Sequence, residues 1–281
     1  MSFAVNQFGA NPYYAPPRLI NDVGSDILTK LGDGLSYAIP NIRVSNASLE
    51  ALSHRPDLCI KEINAPLSTI DVPTLLNFLA VHGQNIEKFN LQNASHIDNK
   101  SFIEMMNYMP NLQALSLQYQ HELTNDTVLQ AIENHPKLDT LLLSLNRRLN
   151  KHLFFELLKK NRVFKKVSLD LNPTTQPSNI EYIAAKINHL ALIGLSFQNN
   201  DVSLCRKITT LQNLKLVLTS IDAEHIAKLM DSLDRFSDIE VVVSNHSEIL
   251  TRKLFSDLTR QHVEGLKITK LTKTSLKLSW N

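Results

Sequence analysis

Two cysteines, seven glycines and one tryptophan are all that 281 residues hold of these types. Cys59 and Cys205 lie in well-separated parts of the pattern described below, so a bridge between them would have to cross the fold. A reduced, cytoplasmic setting is the expectation. The one Gly-Asp-Gly, Gly32 to Gly34, has no Lys-Ser/Thr after it and no strand pattern before it, which argues against a phosphate-binding loop. No His-Glu-x-x-His occurs and the ten histidines follow no single column, so no metal and no cofactor are expected. An excess of one charge is also lacking: 29 Lys+Arg face 27 Asp+Glu, for a net +2. That balance gives no footprint for nucleic acid or an anionic membrane. No stretch approaches the roughly 18 apolar residues of a membrane helix. The first 17 residues lack the charged and apolar regions of a standard signal peptide. What is present is 43% hydrophobic residues, enough for a large packed core.

Those residues follow one phrase, written five times: Ile86-x-x-Phe89-x-Leu91, Leu112-x-x-Leu115-x-Leu117, Leu138-x-x-Leu141-x-Leu143, Phe164-x-x-Val167-x-Leu169 and Leu190-x-x-Ile193-x-Leu195. The middle residues stand at 89, 115, 141, 167 and 193, a constant step of 26. Ile63, in Ile60-x-x-Ile63-x-Ala65, lies one step earlier. A fixed period carrying L-x-x-L-x-L is the sign of a leucine-rich repeat solenoid. Between the phrases, apolar residues recur at i, i+3 and i+4, as in Phe102, Met105 and Met106 or Val128, Leu129 and Ile132. This spacing predicts helices. The set Ile180, Ile183, Ala184 and Ile187 predicts a further one. The fold class expected is therefore α/β: a curved, horseshoe-shaped solenoid with a concave parallel β-sheet and convex helices.

The ends break this rhythm. Residues 1–17, with three prolines and no periodicity, read as a flexible arm. Residues 18–58 read as an N-terminal cap with a degenerate first repeat, its strand near Tyr37 to Ile39 and its helix capped at Ser45 or Asn46. The main domain is 59–281. After Leu195 the phrase Leu211-x-x-Leu214-x-Leu216 follows at only 21 residues, then Phe236-x-x-Ile239-x-Val241 and Val263-x-x-Leu266-x-Ile268. Helices are expected around Ile226 to Leu233 and Leu250 to Leu258. From Leu266 the chain alternates with period two, predicting a β-hairpin cap turning near Thr272 to Thr274, with Trp280 as a lid. A detachable signal is the alternative use of this tail.

The text Leu112-Gln-Ala-Leu115-Ser-Leu117, Leu123-Thr124-Asn125-Asp126 through Ile132, and His135-Pro136-Lys137-Leu138 resembles the cysteine-containing leucine-rich repeats of F-box substrate receptors. Their pattern is L-x-x-L-x-L-x-x-C-x-x-[IL]-T-D-x-x-L-x-x-L-x-x-x-C-P-x-L. Ile97-Asp98-Asn99 and Met109-Pro110-Asn111-Leu112 repeat the match, which covers roughly residues 44–200. The cysteine position holds Ala94, Gln120, Asn146, Asn172 and Gln198, where an amide can bond backbone at the turn. In that family an F-box precedes the repeats and binds a ubiquitin-ligase adaptor. Asp26 to Leu31, Val44 and Arg55-Pro56-Asp57-Leu58 fall at similar spacings, but Leu19-Ile20 replaces the Leu-Pro opening and Ser48 the tryptophan.

Side chains alternate along a strand, so positions −1, +1 and +3 from each middle residue face away from the helices. The first column then holds Glu62, Lys88, Ala114, Thr140, Lys166 and Leu192. The second holds Asn64, Asn90, Ser116, Leu142, Ser168 and Gly194, and the third Pro66, Gln92, Gln118, Ser144, Asp170 and Ser196. On the rim stand Asn93, Tyr119, Leu145, Leu171 and Phe197. The candidate protein-binding residues are Lys88, Asn90, Gln92, Gln118, Tyr119, Leu142, Leu145, Lys166, Asp170, Leu171 and Phe197. The expectation is a monomeric, non-enzymatic module that binds a partner protein on its concave face or rim. Frequent Asn and Lys fit an AT-rich bacterial genome, and eukaryote-like repeats then fit an effector delivered into a host cytosol. The alternatives are an F-box-like adaptor for a ubiquitin ligase, and a cysteine-dependent enzyme using Cys59, with His54 nearby, or Cys205.

Overall fold

The computed structural model describes residues 18–19, 36–39, 45–66, 70–92, 96–118, 122–144, 148–149, 151–170, 186–195, 210, 212–219, 238–244, 252–254, 256–257, 266–272 and 275–280. Among these residues twelve strands form one sheet. They are β1 Arg18–Leu19, β2 Ser36–Ile39, β3 Cys59–Pro66, β4 Lys88–Gln92, β5 Ala114–Gln118 and β6 Thr140–Ser144. Then follow β7 Val163–Asp170, β8 Lys186–Leu195, β9 Asn213–Thr219, β10 Asp238–Ser244, β11 Leu266–Thr272 and β12 Ser275–Trp280. Each strand from β1 to β9 pairs in parallel with the next. The helices are α1 Asn46–Ser53, α2 Val72–His82, α3 Asn99–Asn107, α4 Asn125–Asn134 and α5 Lys151–Lys159.

In the phrases of β4 to β7 the middle residue and the residue two further on are packed in the core. Phe89, Leu91, Leu115, Leu117, Leu141 and Leu143 join Leu49, Phe78, Phe102 and Leu157 in one core that continues to Leu278. Each fully buried apolar side chain of this kind contributes about 1.5–3 kcal/mol. The helix starts repeat as faithfully as the strands. Ser45, Asp71, Asp98 and Thr124 each accept the backbone N–H three residues on. Such caps stabilise a helix by about 1 kcal/mol each. The next residue then couples neighbouring repeats: Asn46 Oδ1 accepts the Asp71 N–H and Asn99 Oδ1 the Thr124 N–H, both at 3.0 Å.

The register corrects the sequence reading in its second half. Val167 stands beside Leu190, not Ile193, and Leu169 beside Leu192. The phrase in use is Ile187-x-x-Leu190-x-Leu192, which overlaps Leu190-x-x-Ile193-x-Leu195 letter for letter and is shifted by three. Ile187, expected on a helix, lies in β8 opposite Phe164 and is buried. The shift places Leu190 beside Leu214, and Leu214 beside Ile239. The apparent step of 21 after Ile193 is thereby shared between two shorter steps, 23 from Val167 to Leu190 and 24 from Leu190 to Leu214. The register slips once more, around Gly194, where Ile193 pairs with Val217 but Leu195 with Leu218.

The last phrase is corrected too. Leu266-x-Ile268 does not extend the parallel array, because β12 lies between β10 and β11 and runs antiparallel to both. Leu278 pairs with Val241 on one side and Ile268 on the other, and it is buried. Thr272 ends β11 and Ser275 opens β12; residues 273–274, in the expected turn, lie outside the described residues, as does the side chain of Trp280. Residues 1–17, 26–31, 171–185 and 226–233, bearing the expected arm and three helices or parts of them, lie outside as well. Residues 252–254 and 256–257 are helical, as the Leu250 to Leu258 spacing predicts, with Leu254 buried.

Candidate interaction surface

The sheet face opposite the helices is built from rows set by this register. The first row runs Glu62, Lys88, Ala114, Thr140, Lys166, His189, Asn213 and Asp238. The second runs Asn64, Asn90, Ser116, Leu142, Ser168, Ala191, Lys215 and Glu240. Leu192 and Gly194, expected here from a strict step of 26, do not belong to these rows. Leu192 pairs with Leu169 on one side and Leu216 on the other.

Burial divides the face in two. From β4 to β7 its small side chains are packed away: Asn90 is 4% exposed, Ser116 0% and Leu142 5%, with Ala114, Thr140 and Ser168 also buried. A side chain this buried has almost no surface to give a partner. Toward β8–β10 the character changes. Lys166, His189, Ala191 and Glu240 are partly exposed and Lys215 is exposed. Here the sheet forms a cleft of about 180 Å³ lined by Lys166, His189, Leu190, Ala191, Leu214, Lys215 and Glu240.

Charges on this face meet across neighbouring strands. Lys88 donates to Glu62, one row partner away. Lys215 Nζ lies 2.6 Å from Glu240 Oε1. At the strand starts Lys61 Nζ lies 2.6 Å from Glu87 Oε1. Burial pulls the Lys166 ammonium below the ordinary lysine range, and the nearby positive charge of Lys215 adds to that. Two cationic groups are thus drawn together over one small cleft.

Of the candidate residues, Lys88, Asn90, Leu142 and Lys166 lie on the face with their side chains described. Gln92, Gln118 and Asp170 sit at the ends of β4, β5 and β7, and their side chains are outside the described residues. Tyr119, Leu145, Leu171 and Phe197 lie outside altogether. Sequence reasoning missed His189 because the step of 26 put Leu192 in its row; the overlapping phrase beginning at Ile187 is the signal that locates it. Lys215 and Glu240 stand one place after Leu214 and Ile239, in phrases the sequence does show, beyond the last repeat whose outward columns were read.

The remaining chemical candidates have structural positions. Cys59 is a free thiol, partly buried, at the first residue of β3; Cys205 lies outside the described residues. His54 is exposed and follows α1. His82 and His135 are buried at helix ends, where each bonds the previous repeat. His82 Nε2 donates to Leu52 O at 2.9 Å, and the two ring nitrogens of His135 lie 2.6 Å from Ala131 O and 2.9 Å from Met106 O. Arg162 holds the same place one repeat later. Among the described residues no group of His, Cys, Asp and Glu is arranged to hold a metal ion, and no helix is long and apolar enough to cross a membrane.

No family model matches the chain, and no curated protein matches it. Among solved structures, it is similar to the leucine-rich repeat-containing protein LegL7 from Legionella pneumophila, at 14% identity and a TM-score of 0.41, over 88% of this chain and 99% of that one.

Proposed function

We propose that this chain is a non-enzymatic protein-binding module: a leucine-rich repeat solenoid that meets its partner on the concave sheet face. The observation that carries this reading is the face itself. Ten parallel strands align their outward side chains into rows, and toward β8–β10 those rows carry accessible charged groups on a rigid layer. A preformed surface of this kind binds with little ordering cost. The free thiol at Cys59 supports a reducing compartment, and an effector's place in a host cytosol is the setting we favour.

Residues 18–58 are read as a cap and first repeat rather than an adaptor-binding F-box. Supporting this, β1 and β2 add to the sheet in parallel, while Leu49 and Leu52 of α1 are spent in the shared core. A solenoid end needs such a cover for its last core layer. The β11–β12 pair serves the same purpose at the other end.

Photo-crosslinking tests the reading. A benzophenone amino acid at Lys88 or Lys215 samples the sheet face; the same group at Gln130, exposed on α4, samples the helices. A discrete partner adduct from the face positions and none from Gln130 is the expected result. Adducts from the helix position alone overturn the assignment. Retention of a ubiquitin-ligase adaptor that is lost on deleting residues 18–58 would instead favour the F-box alternative.

A further inference from the structure

We infer that the sheet face over β5 and β6 is a docking surface for the chain's own residues 1–17, which lie across it as a strap. The inference concerns this chain alone and does not rest on the protein-binding reading.

Both faces of these two strands are buried. Ala114, Leu115, Ser116 and Leu117 are buried along β5, and Thr140 to Leu143 along β6. Leu115, Leu117, Leu141 and Leu143 belong to the core shared with the helices. Ala114 and Leu142 are equally buried but stand apart from that core, on the opposite face. Leu142 is the decisive residue. Its row neighbours are Ser116 and Ser168, and Thr140 and Ser144 flank it along the strand on the same face. All four are smaller than leucine, so they cannot close over it, yet it is only 5% exposed. Lys166, diagonal to it on β7, is itself partly buried. A strand buried on both faces has a layer on each side, so a further segment of the chain lies over Leu142.

Topology selects the segment. The connections from β2 to β7 carry α1 to α5, whose buried residues all join the helix-side core. The connections β1–β2, β7–β8, β8–β9 and β9–β10 also join parallel strands. They are therefore crossovers, and crossovers of one hand keep to one side of a sheet. The link from β10 to β11 sends Leu254 into the same core. The β11–β12 turn and Asn281 belong to the far end of the sheet. Residues 1–17, outside the described residues, are bound by no such crossover: they precede β1 and return to no strand before it.

Reach and composition agree with this choice. The five strand spacings from β1 to β6 amount to about 24 Å, whereas seventeen extended residues span up to about 56 Å. The segment holds Phe3, Phe8, Tyr13 and Tyr14 and no charged residue. The rows it would cross on β5 and β6, Ala114 with Thr140 and Ser116 with Leu142, are uncharged too. Aromatic rings supply a large apolar area to lay over Leu142, with a polar tip on each tyrosine for the hydroxyls around it. Pro12, Pro16 and Pro17 favour the extended backbone that a strap needs and lower its ordering cost.

The test follows maleimide labelling of single thiols in a C59S/C205S background. Ser116→Cys should label slowly in the full-length chain and at least tenfold faster once residues 2–17 are deleted. His189→Cys, at the accessible end of the face, should label within twofold in both proteins. Ala131→Cys, buried on the helix side, should stay slow in both. Equal labelling of Ser116→Cys with and without residues 2–17 overturns the strap. So does an acceleration of the same size at Ala131→Cys, which signals unfolding rather than uncovering. If the deleted chain does not fold, the full-length F3S/F8S/Y13S/Y14S variant takes its place, with the same expected acceleration and the same refuting results. A benzophenone amino acid in place of Phe8 supplies a second reading in the intact chain. An intramolecular adduct on β4 to β6 is expected, and adducts confined to the helices overturn the placement.

Discussion

Arg162 offers a sharp test of how the repeats are coupled. It lies between α5 and β7, yet its guanidinium reaches back one repeat and donates to three carbonyl oxygens: Ile132, His135 and, at 2.6 Å, Leu138. These belong to the end of α4 and the link into β6, where a helix leaves its last carbonyls without partners. The same cation sits 5.5 Å from the centre of the Phe164 ring. Burial lowers the arginine's pKa while Asp139 opposes that, and the group remains cationic. A charge-assisted hydrogen bond stabilises by about 1.5–3 kcal/mol when deleted singly. Three on one fork are not additive, and the site is only half-buried, so Arg162→Ala should cost about 3 kcal/mol in total. Arg162→Met keeps the stem over Phe164 and should cost about 2 kcal/mol, since packing is retained and only the fork is lost. Urea and thermal unfolding followed by far-ultraviolet circular dichroism measure both. For a chain of this size, about 3 kcal/mol corresponds to a melting point lower by about 6–12 °C. An Arg162→Ala protein within about 0.5 kcal/mol of wild type, the scatter of ordinary surface substitutions, would refute the clamp.

Three further outcomes follow from the same packing. Gly83 has φ −56°, so its backbone suits any residue, but a Cβ there would lie 2.5 Å from the backbone oxygen of Tyr108. Gly83→Ala should therefore destabilise by about 1–3 kcal/mol in urea titration, as overpacking does, despite alanine's better helix propensity. His82 has its pKa lowered, chiefly by burial, with the bond to Leu52 opposing. Below its unfolded pKa of about 6.5 the unfolded chain takes up a proton that the native chain refuses, so stability should fall as pH drops from 7.5 to 5. The fall should be smaller in His82→Gln; equal slopes would contradict the assignment. Ser116 Oγ is buried with no hydrogen-bond partner among the described residues. Ser116→Ala should be neutral or stabilising by up to about 1 kcal/mol, and a clear loss of stability would reveal a bond from elsewhere.

Legibility in the sequence followed the strength of the local rule. From Ile60 to Leu169 one phrase recurs at one spacing, and strands β3–β7, their faces and the intervening helices emerge as written. Caps at Ser45, Asp71, Asp98 and Thr124 follow the same beat. At β8 the letters permit two phrases, 187–190–192 and 190–193–195, and both bury three aliphatic residues. Local periodicity cannot separate them. Pairing with neighbours does, because Ile187 must meet Phe164, and Leu190 must meet both Val167 and Leu214. The outward residues of β8, His189 and Ala191, were lost with the register: a slip of an odd number of residues exchanges the two faces of a strand. Burial of Asn90 and Leu142 was invisible for another reason. Alternation tells which face a side chain takes, not how closely its neighbours close over it.

The placement of β12 has a consequence for the order in which the protein is made. Each strand from β2 to β10 can settle against one already synthesised. β11 cannot: its only seat on the sheet is completed by the strand that leaves the ribosome after it. Until residues 275–280 emerge, the seven residues of β11 have no partner strand and the edge of β10 stays bare. A nascent chain stopped at Thr272 is therefore expected to carry two open strand edges near one end, the kind of surface on which chains adhere to one another. Translation to the final strand closes one of them and covers the other.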